Sequence, residues 1–329
     1  MPIERENYNF QKIVAFVGVV LLAIKLAAWY ITDSVAILTD ALEGIVNVIA
    51  AFIGLYSLYL SAQPKDKNHP YGHGKVEFIS AGIEGVMIAF AGVWIIFEAI
   101  NHIINPQEIK QIDLGIVLIV FAGLTNFIVG YLAVKKGKKN NSIALVASGK
   151  HLISDTYTTL GVIIGLVIIK ITSIYWLDSA FAMVFGIIII FTGVKILRQS
   201  VAGIMDEADT QLLKSMVETL NKNRVPNWID LHNLRIIKFG SGLHIDCHLT
   251  VPWYLTVKEA HEEVDAIEAL IQNKYGNNLE LFIHSDYCKP KSCEICTKVD
   301  CDVRVKPFIQ QIDWNLDNVA TNKKHQIIE

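Results

Sequence analysis

No charge of either sign dominates this chain. Twenty-nine Lys and Arg stand against 32 Asp and Glu, a net charge of −3, which excludes the basic excess usual in a nucleic-acid-binding protein. Charge of any kind is scarce. Charged residues make up 19% of the chain and hydrophobic ones 52%, with a mean hydropathy of +0.40, too apolar for an ordinary soluble domain. The opening MPIERENYNFQK has no basic n-region and no small-residue cleavage site, so the first apolar run is expected to be a retained span and not a signal peptide. No HExxH-like motif is present, which argues against a buried zinc hydrolase. Cysteine is rare too. There are five, Cys247 alone and then Cys288, Cys293, Cys296 and Cys301 in a tight cluster. Such a cluster suggests metal binding or redox chemistry more than a disulfide framework.

What the chain does have is long apolar runs. A helix that crosses a bilayer needs about 20 apolar residues. Six runs qualify, at 12–32, 35–61, 78–104, 113–134, 142–170 and 176–198. Lys150, His151 and Asp155 interrupt the fifth. Basic residues gather in the loops after the second, fourth and sixth runs, at Lys65, Lys67 and Lys75, in KKGKK (135–139), and at Lys195 and Arg198. The opposite loops are poor in them, so both termini are expected in the cytoplasm. There thiols stay reduced, and a thiolate metal site is favoured over disulfides.

After Arg198 the polarity becomes mixed. The pattern predicts helix 209–223, strand 230–239, strand 242–250, helix 257–274 with Thr256 as N-cap, and strand 278–284. That α-β-β-α-β order suits an α+β open-faced sandwich. The expected division is a six-span transmembrane domain (1–205), a cytoplasmic domain (206–287) and a cysteine-containing extension (288–329), of which 302–329 carries no strong periodic signal.

The second span holds Asp40, Glu43 and Asn47. Charged groups at bilayer depth are costly, roughly 2.5–3.5 kcal/mol on insertion scales, so something must offset them. Glu43 and Asn47 share one helix face at i, i+4, and His151 and Asp155 repeat that spacing on the fifth span. Together they offer four N/O ligands, a workable set for Zn²⁺ or another first-row metal. The bland readings are an interhelical hydrogen bond from Asn47 and a buried pair of Glu43 with Lys25 or Lys150; the role of Asp40 is open. In the loop after the second span, Asp66, His69 and His73 form D-x2-H-x3-H, either a metal site or solvated loop residues.

The combination of LTDALEGIVN, HPYGHGKVE, ALVASGKHLISD and a domain ending FIHSD resembles the cation diffusion facilitators over roughly residues 10–288. The resemblance implies a dimeric six-span exporter of divalent metals, commonly zinc, driven by proton antiport and lodged in the cytoplasmic (plasma or inner) membrane. It places the transport site on Glu43, Asn47, His151 and Asp155 and the loop site on Asp66, His69 and His73. It places cytoplasmic metal ligands on His232, His248, His261, His284 and Asp286, and a charge interlock across the dimer on Lys75 and Asp206. Two features depart from the family pattern. The second-span pair is Glu and Asn, which removes one negative charge and one protonatable group. The tail adds C-x4-C-x2-C-x4-C, which could hold Zn²⁺ or another soft metal, an iron–sulfur cluster, or nothing, and Cys288 could instead join the His site. The rival to an exporter is a membrane-anchored metal sensor or store with a non-transporting pore.

Overall fold

A computed structural model describes residues 2–61, 63–105, 109–139, 143–239, 242–276 and 279–327. The starts of the expected fifth span (142) and third strand (278) fall outside them. The chain forms two compact units, Met1–Tyr59 with Glu77–Val201, and Leu60–Val76 with Ala202–Glu329.

The first unit is built on six helices, α1 (Pro2–Thr32), α2 (Val35–Ser61), α3 (Val76–Ile104), α4 (Ile112–Lys139), α5 (Ile143–Thr172) and α6 (Trp176–Ile204). Each is long and apolar enough to cross a membrane. Large side chains such as Phe90, Phe97, Phe121 and Phe191 stand exposed on them, as a lipid-facing surface requires. Where helices touch, glycine lets their backbones meet. A Cβ on Gly85 would lie 2.8 Å from the Gly193 carbonyl, and one on Gly92 2.8 Å from that of Gly186. The spacing of seven is matched on α3 and α6, so two backbone contacts repeat along the antiparallel pair. Gly130 and Gly149 do the same between α4 and α5, 2.9 and 2.6 Å from each other's carbonyls.

The turn into α2 exposes backbone N–H groups that the helix cannot satisfy. Asp178 in the first turn of α6 supplies the acceptor, taking the Ser34 hydroxyl at 2.7 Å and the Val35 N–H at 2.6 Å. A buried carboxylate thereby caps a helix far from it in sequence.

The second unit holds α7 (Thr210–Lys222), β1 (Asp230–Phe239), β2 (Gly242–Val251), α8 (Val257–Tyr275), β3 (Leu279–Tyr287) and a short α9 (Leu316–Val319). The sheet order is β1-β2-β3, antiparallel and then parallel. Asp209 caps α7 by accepting the Leu212 N–H, and Thr256 caps α8 in a reciprocal capping box with Glu259. Period-two alternation sends Leu231, Ile245, Cys247 and Leu249 into one core with Leu213, Met216, Leu220, Ile267 and Ile271. Burial pushes the Cys247 thiol up to about 12, so this cysteine is a neutral core side chain.

The patternless end of the chain is not a loose appendage. Asn315 caps α9, and Trp314 and Val319 enter the same core. The Arg224 guanidinium lies 4.2 Å from the Trp314 ring and donates to the carbonyls of Trp228 (2.9 Å) and Ile312 (2.8 Å).

Candidate metal sites

On the transmembrane helices the two i, i+4 pairs meet. The Asn47 amide donates to Asp155 Oδ2 at 2.9 Å, His151 Nε2 lies 3.8 Å from the same oxygen, and Glu43 accepts from the Thr158 hydroxyl at 3.3 Å. Asp155 is buried, whereas 52% of the His151 side chain is exposed. The four expected residues thus face one region between α2 and α5, although Glu43, His151 and Asp155 do not close to within 4.8 Å of one another. Lys25 does not pair with Glu43. It binds Asp40 at 2.9 Å, and Asp40 also accepts from Thr159 at 2.9 Å. Asp40 is therefore a structural carboxylate that neutralises a buried lysine, which leaves Glu43 without that partner.

In the loop after α2, donor atoms of Asp66, His69 and His73 all lie within 4.8 Å of one another. Asp66 accepts the backbone N–H groups of Asn68 (2.8 Å) and His69 (2.7 Å). Those bonds hold its carboxyl below the usual carboxylate range. The loop is fixed onto its own unit by Tyr71 stacked on Phe239 at 5.8 Å and by Lys65 paired with Glu280 at 3.0 Å.

Strand register builds the third set. His232 pairs with His248 and His248 with His284, so three imidazoles stand in a row across the sheet. Asp286, two residues along β3, reaches back to them. Its carboxylate lies 3.6 Å from His232 Nε2, 3.4 Å from His248 Nδ1 and 3.8 Å from His284 Nε2. Of these, His232, His248 and Asp286 form the tight three-donor group. His261 does not join them. It sits on α8 and faces Asp265 at 3.6 Å, because α8 buries Ile267 and Ile271 in the core on the sheet's other side. Lys75 and Asp206 pair at 2.9 Å within the chain.

Sequence reading missed three members of the sheet cluster. The tail returns through Asn233 N–H to Thr321 O (2.7 Å) and sets Lys324 Nζ 3.1 Å from Asp286 and the His325 N–H 3.2 Å from Asp230. His325 Nδ1 bonds the same Asp230, and His232 Nδ1 lies 3.1 Å from it. Burial alone would raise Asp230, yet the two imidazoles hold it down at about 2. His325 Nε2 is buried with no hydrogen-bond partner among the described residues. No local pattern in 302–329 announces this return.

Residues 12–205 match the cation efflux transmembrane domain and residues 208–288 the cation efflux protein cytoplasmic domain. The chain belongs to the cation efflux family. It is 34% identical to an uncharacterized transporter of Synechocystis sp. over 256 residues, 77% of this chain and 82% of that one. It is 25% identical to the cation-efflux pump FieF of Cronobacter sakazakii over 293 residues, 86% of this chain and 95% of that one. With FieF of Escherichia coli O157:H7 the identity is 26% over 277 residues, 82% and 88% of the two chains. This cation efflux protein is accordingly an integral membrane transporter. The matched domains end at residue 288, so the cysteines that follow and the tail on the histidine row lie beyond them.

Proposed function

We propose that this protein exports a divalent transition-metal cation from the cytoplasm by proton antiport, working as a homodimer with both termini cytoplasmic. Zinc leads, with iron, manganese, cobalt and cadmium as the other candidates. The observation that carries the reading is the Asn47–Asp155 bond, which brings the Glu43 and Asn47 pair against the His151 and Asp155 pair. An imidazole and two carboxylates suit Zn²⁺, while the oxygen-rich remainder also admits harder ions. Two carboxylates neutralise one divalent cation. Metal and protons compete for the same ionisable side chains of this site.

The His232, His248, His284 and Asp286 row is the regulatory site, and Lys324 is its resident cation. Metal loading there must displace the lysine from Asp286 and thereby loosen the tail. His261, exposed on α8, is available to a second protomer.

A sensor with a closed pore is the second reading, favoured by Asn47, which ties up Asp155 and cannot itself exchange a proton. Metal uptake by proteoliposomes under an imposed pH gradient separates the two. Gradient-driven uptake of Zn²⁺, Fe²⁺, Mn²⁺, Co²⁺ or Cd²⁺ supports the exporter and names its cargo. No uptake of any of them by folded, metal-binding protein leaves the sensor.

A further inference from the structure

The four clustered cysteines belong to none of these sites. They fall between the end of β3 and Arg304, in a segment whose backbone is fixed turn by turn. Cys288 N–H donates to Val251 O at 2.9 Å, which continues the edge of the sheet. Lys289 N–H donates to Ser292 Oγ at 3.1 Å and starts a single 3-10 turn over Pro290–Glu294. Cys296 N–H reaches Cys293 O at 3.4 Å, and Arg304 N–H reaches Cys301 O at 3.2 Å. The Arg304 guanidinium then donates to the carbonyls of Cys293 (2.8 Å), Cys296 (3.0 Å) and Lys298 (2.6 Å). One side chain thus clamps both ends of the C-x2-C turn.

The thiols share one space. Cys288, Cys293, Cys296 and Cys301 all line a cavity of about 100 Å³, with Tyr254 and Ile229 in its wall. None is in a disulfide. Cys247 is the contrast, a single thiol among aliphatic side chains in the core. No three of the sulfurs lie within 4.8 Å of one another, so the ring of thiols is wider than a bound ion would need.

The geometry points to a mononuclear site in which Cys288, Cys293, Cys296 and Cys301 take one thiophilic divalent cation of the zinc class. Four thiolates at about 2.3 Å is the tetrahedral set of a closed structural site. The sulfurs would draw inward around a backbone that Arg304 already holds, and their protons would be released to solvent. The donor set is softer than any of the imidazole and carboxylate sets, so this ion is retained and is not cargo. Because Cys288 is two residues from Asp286, its occupancy also stiffens the end of β3 that carries the regulatory carboxylate. The inference does not depend on the transport reading.

Cobalt titration of the full-length, reduced, metal-stripped protein in detergent tests it. Thiolate ligation of Co²⁺ gives an intense near-ultraviolet charge-transfer band that imidazole and carboxylate sites do not give. The expected result is a saturable band, displaced by Zn²⁺, absent from the C293S/C296S double variant and retained in an H232A/H248A variant. Alkylation of the wild type is the second measurement, independent of whether the serine variant folds: Zn²⁺ should protect four thiols from the reagent. A missing band with every clustered thiol still reactive in the presence of Zn²⁺ overturns the proposal. So does protein purified with iron and acid-labile sulfide in place of a single ion.

Discussion

Asn47 donates its amide hydrogen to Asp155 across α2 and α5 at 2.9 Å. Either residue can be changed without altering helix length or span. Asp155→Ala should abolish metal uptake, since it removes one of two carboxylates and leaves the amide unpaired. Asn47→Asp is nearly isosteric and sets two carboxylates side by side, which favours a shared proton when metal is absent. Uptake by that variant should depend more steeply on pH than the wild type's. Initial rates measured over a pH series in proteoliposomes decide both.

Lys324 occupies Asp286 as a tethered competitor for metal. Lys324→Met should tighten binding at the histidine row. The pair is part-exposed and worth about 1 kcal/mol, so the gain is about fivefold in affinity. Calorimetric titration of Zn²⁺ into the variant and its parent reads this directly. An unchanged affinity would show that the tail merely rests on the site.

Acid should weaken the sheet through Asp230. Its folded value of about 2 lies below the ordinary 3.8, so its stabilising contribution is complete above the unfolded value and is lost as the pH falls through about 2. About 2 kcal/mol is at stake. His325→Ala removes one of the two imidazoles that depress it, and the loss should then begin closer to the ordinary carboxylate value. Tryptophan fluorescence followed during acid titration of the two proteins measures the displacement.

Arg224 binds the end of the chain to its beginning in the sheet-bearing unit. Burial lowers it to about 10, so it remains charged at physiological pH. Arg224→Met would strand the carbonyls of Trp228, Ile229 and Ile312 and remove the cation from the Trp314 ring. A cost of about 3 kcal/mol is expected. It should appear as a lower melting temperature for the fluorescence transition with the far-ultraviolet spectrum of the spans preserved.

Much of this organisation was legible in the residues. The six apolar runs became α1 to α6, the alternation of GLHIDCHLTV became β2, and Thr256 is the N-cap it was expected to be. These signals are local and repeat over many residues. The i, i+4 pairs were legible for the same reason. What was missed depends on contacts far apart in sequence. Asp178 looks like a stray acid in the first turn of α6 until α2 brings its bare N–H groups to it. Asn233, at φ 54°, and the register shift between His232 and Arg235 have no signature in the sequence. Asp230, Lys324 and His325 meet only because a segment without periodicity is anchored by Trp314 and Val319 and led back along β1. Within the chain His261 faces Asp265 on α8 and stands apart from the histidine row.

The exchange of Asn for a carboxylate at position 47 has an electrical consequence. With Glu43 and Asp155 ionised and His151 neutral, the site carries two negative charges, and one divalent cation brings it to zero. Two protons on the same carboxylates also bring it to zero. If those are the loaded and returning forms, no net charge crosses the bilayer in either direction. The membrane voltage, worth about 2.3 kcal/mol per elementary charge at 100 mV, then neither drives the cycle nor stalls it. All the work would come from the pH difference, about 1.4 kcal/mol per unit for each proton. An aspartate at position 47 would add a third carboxylate, and if it returned protonated, three protons would enter for each divalent cation that leaves, so one net positive charge would cross per cycle and couple the pump to the voltage.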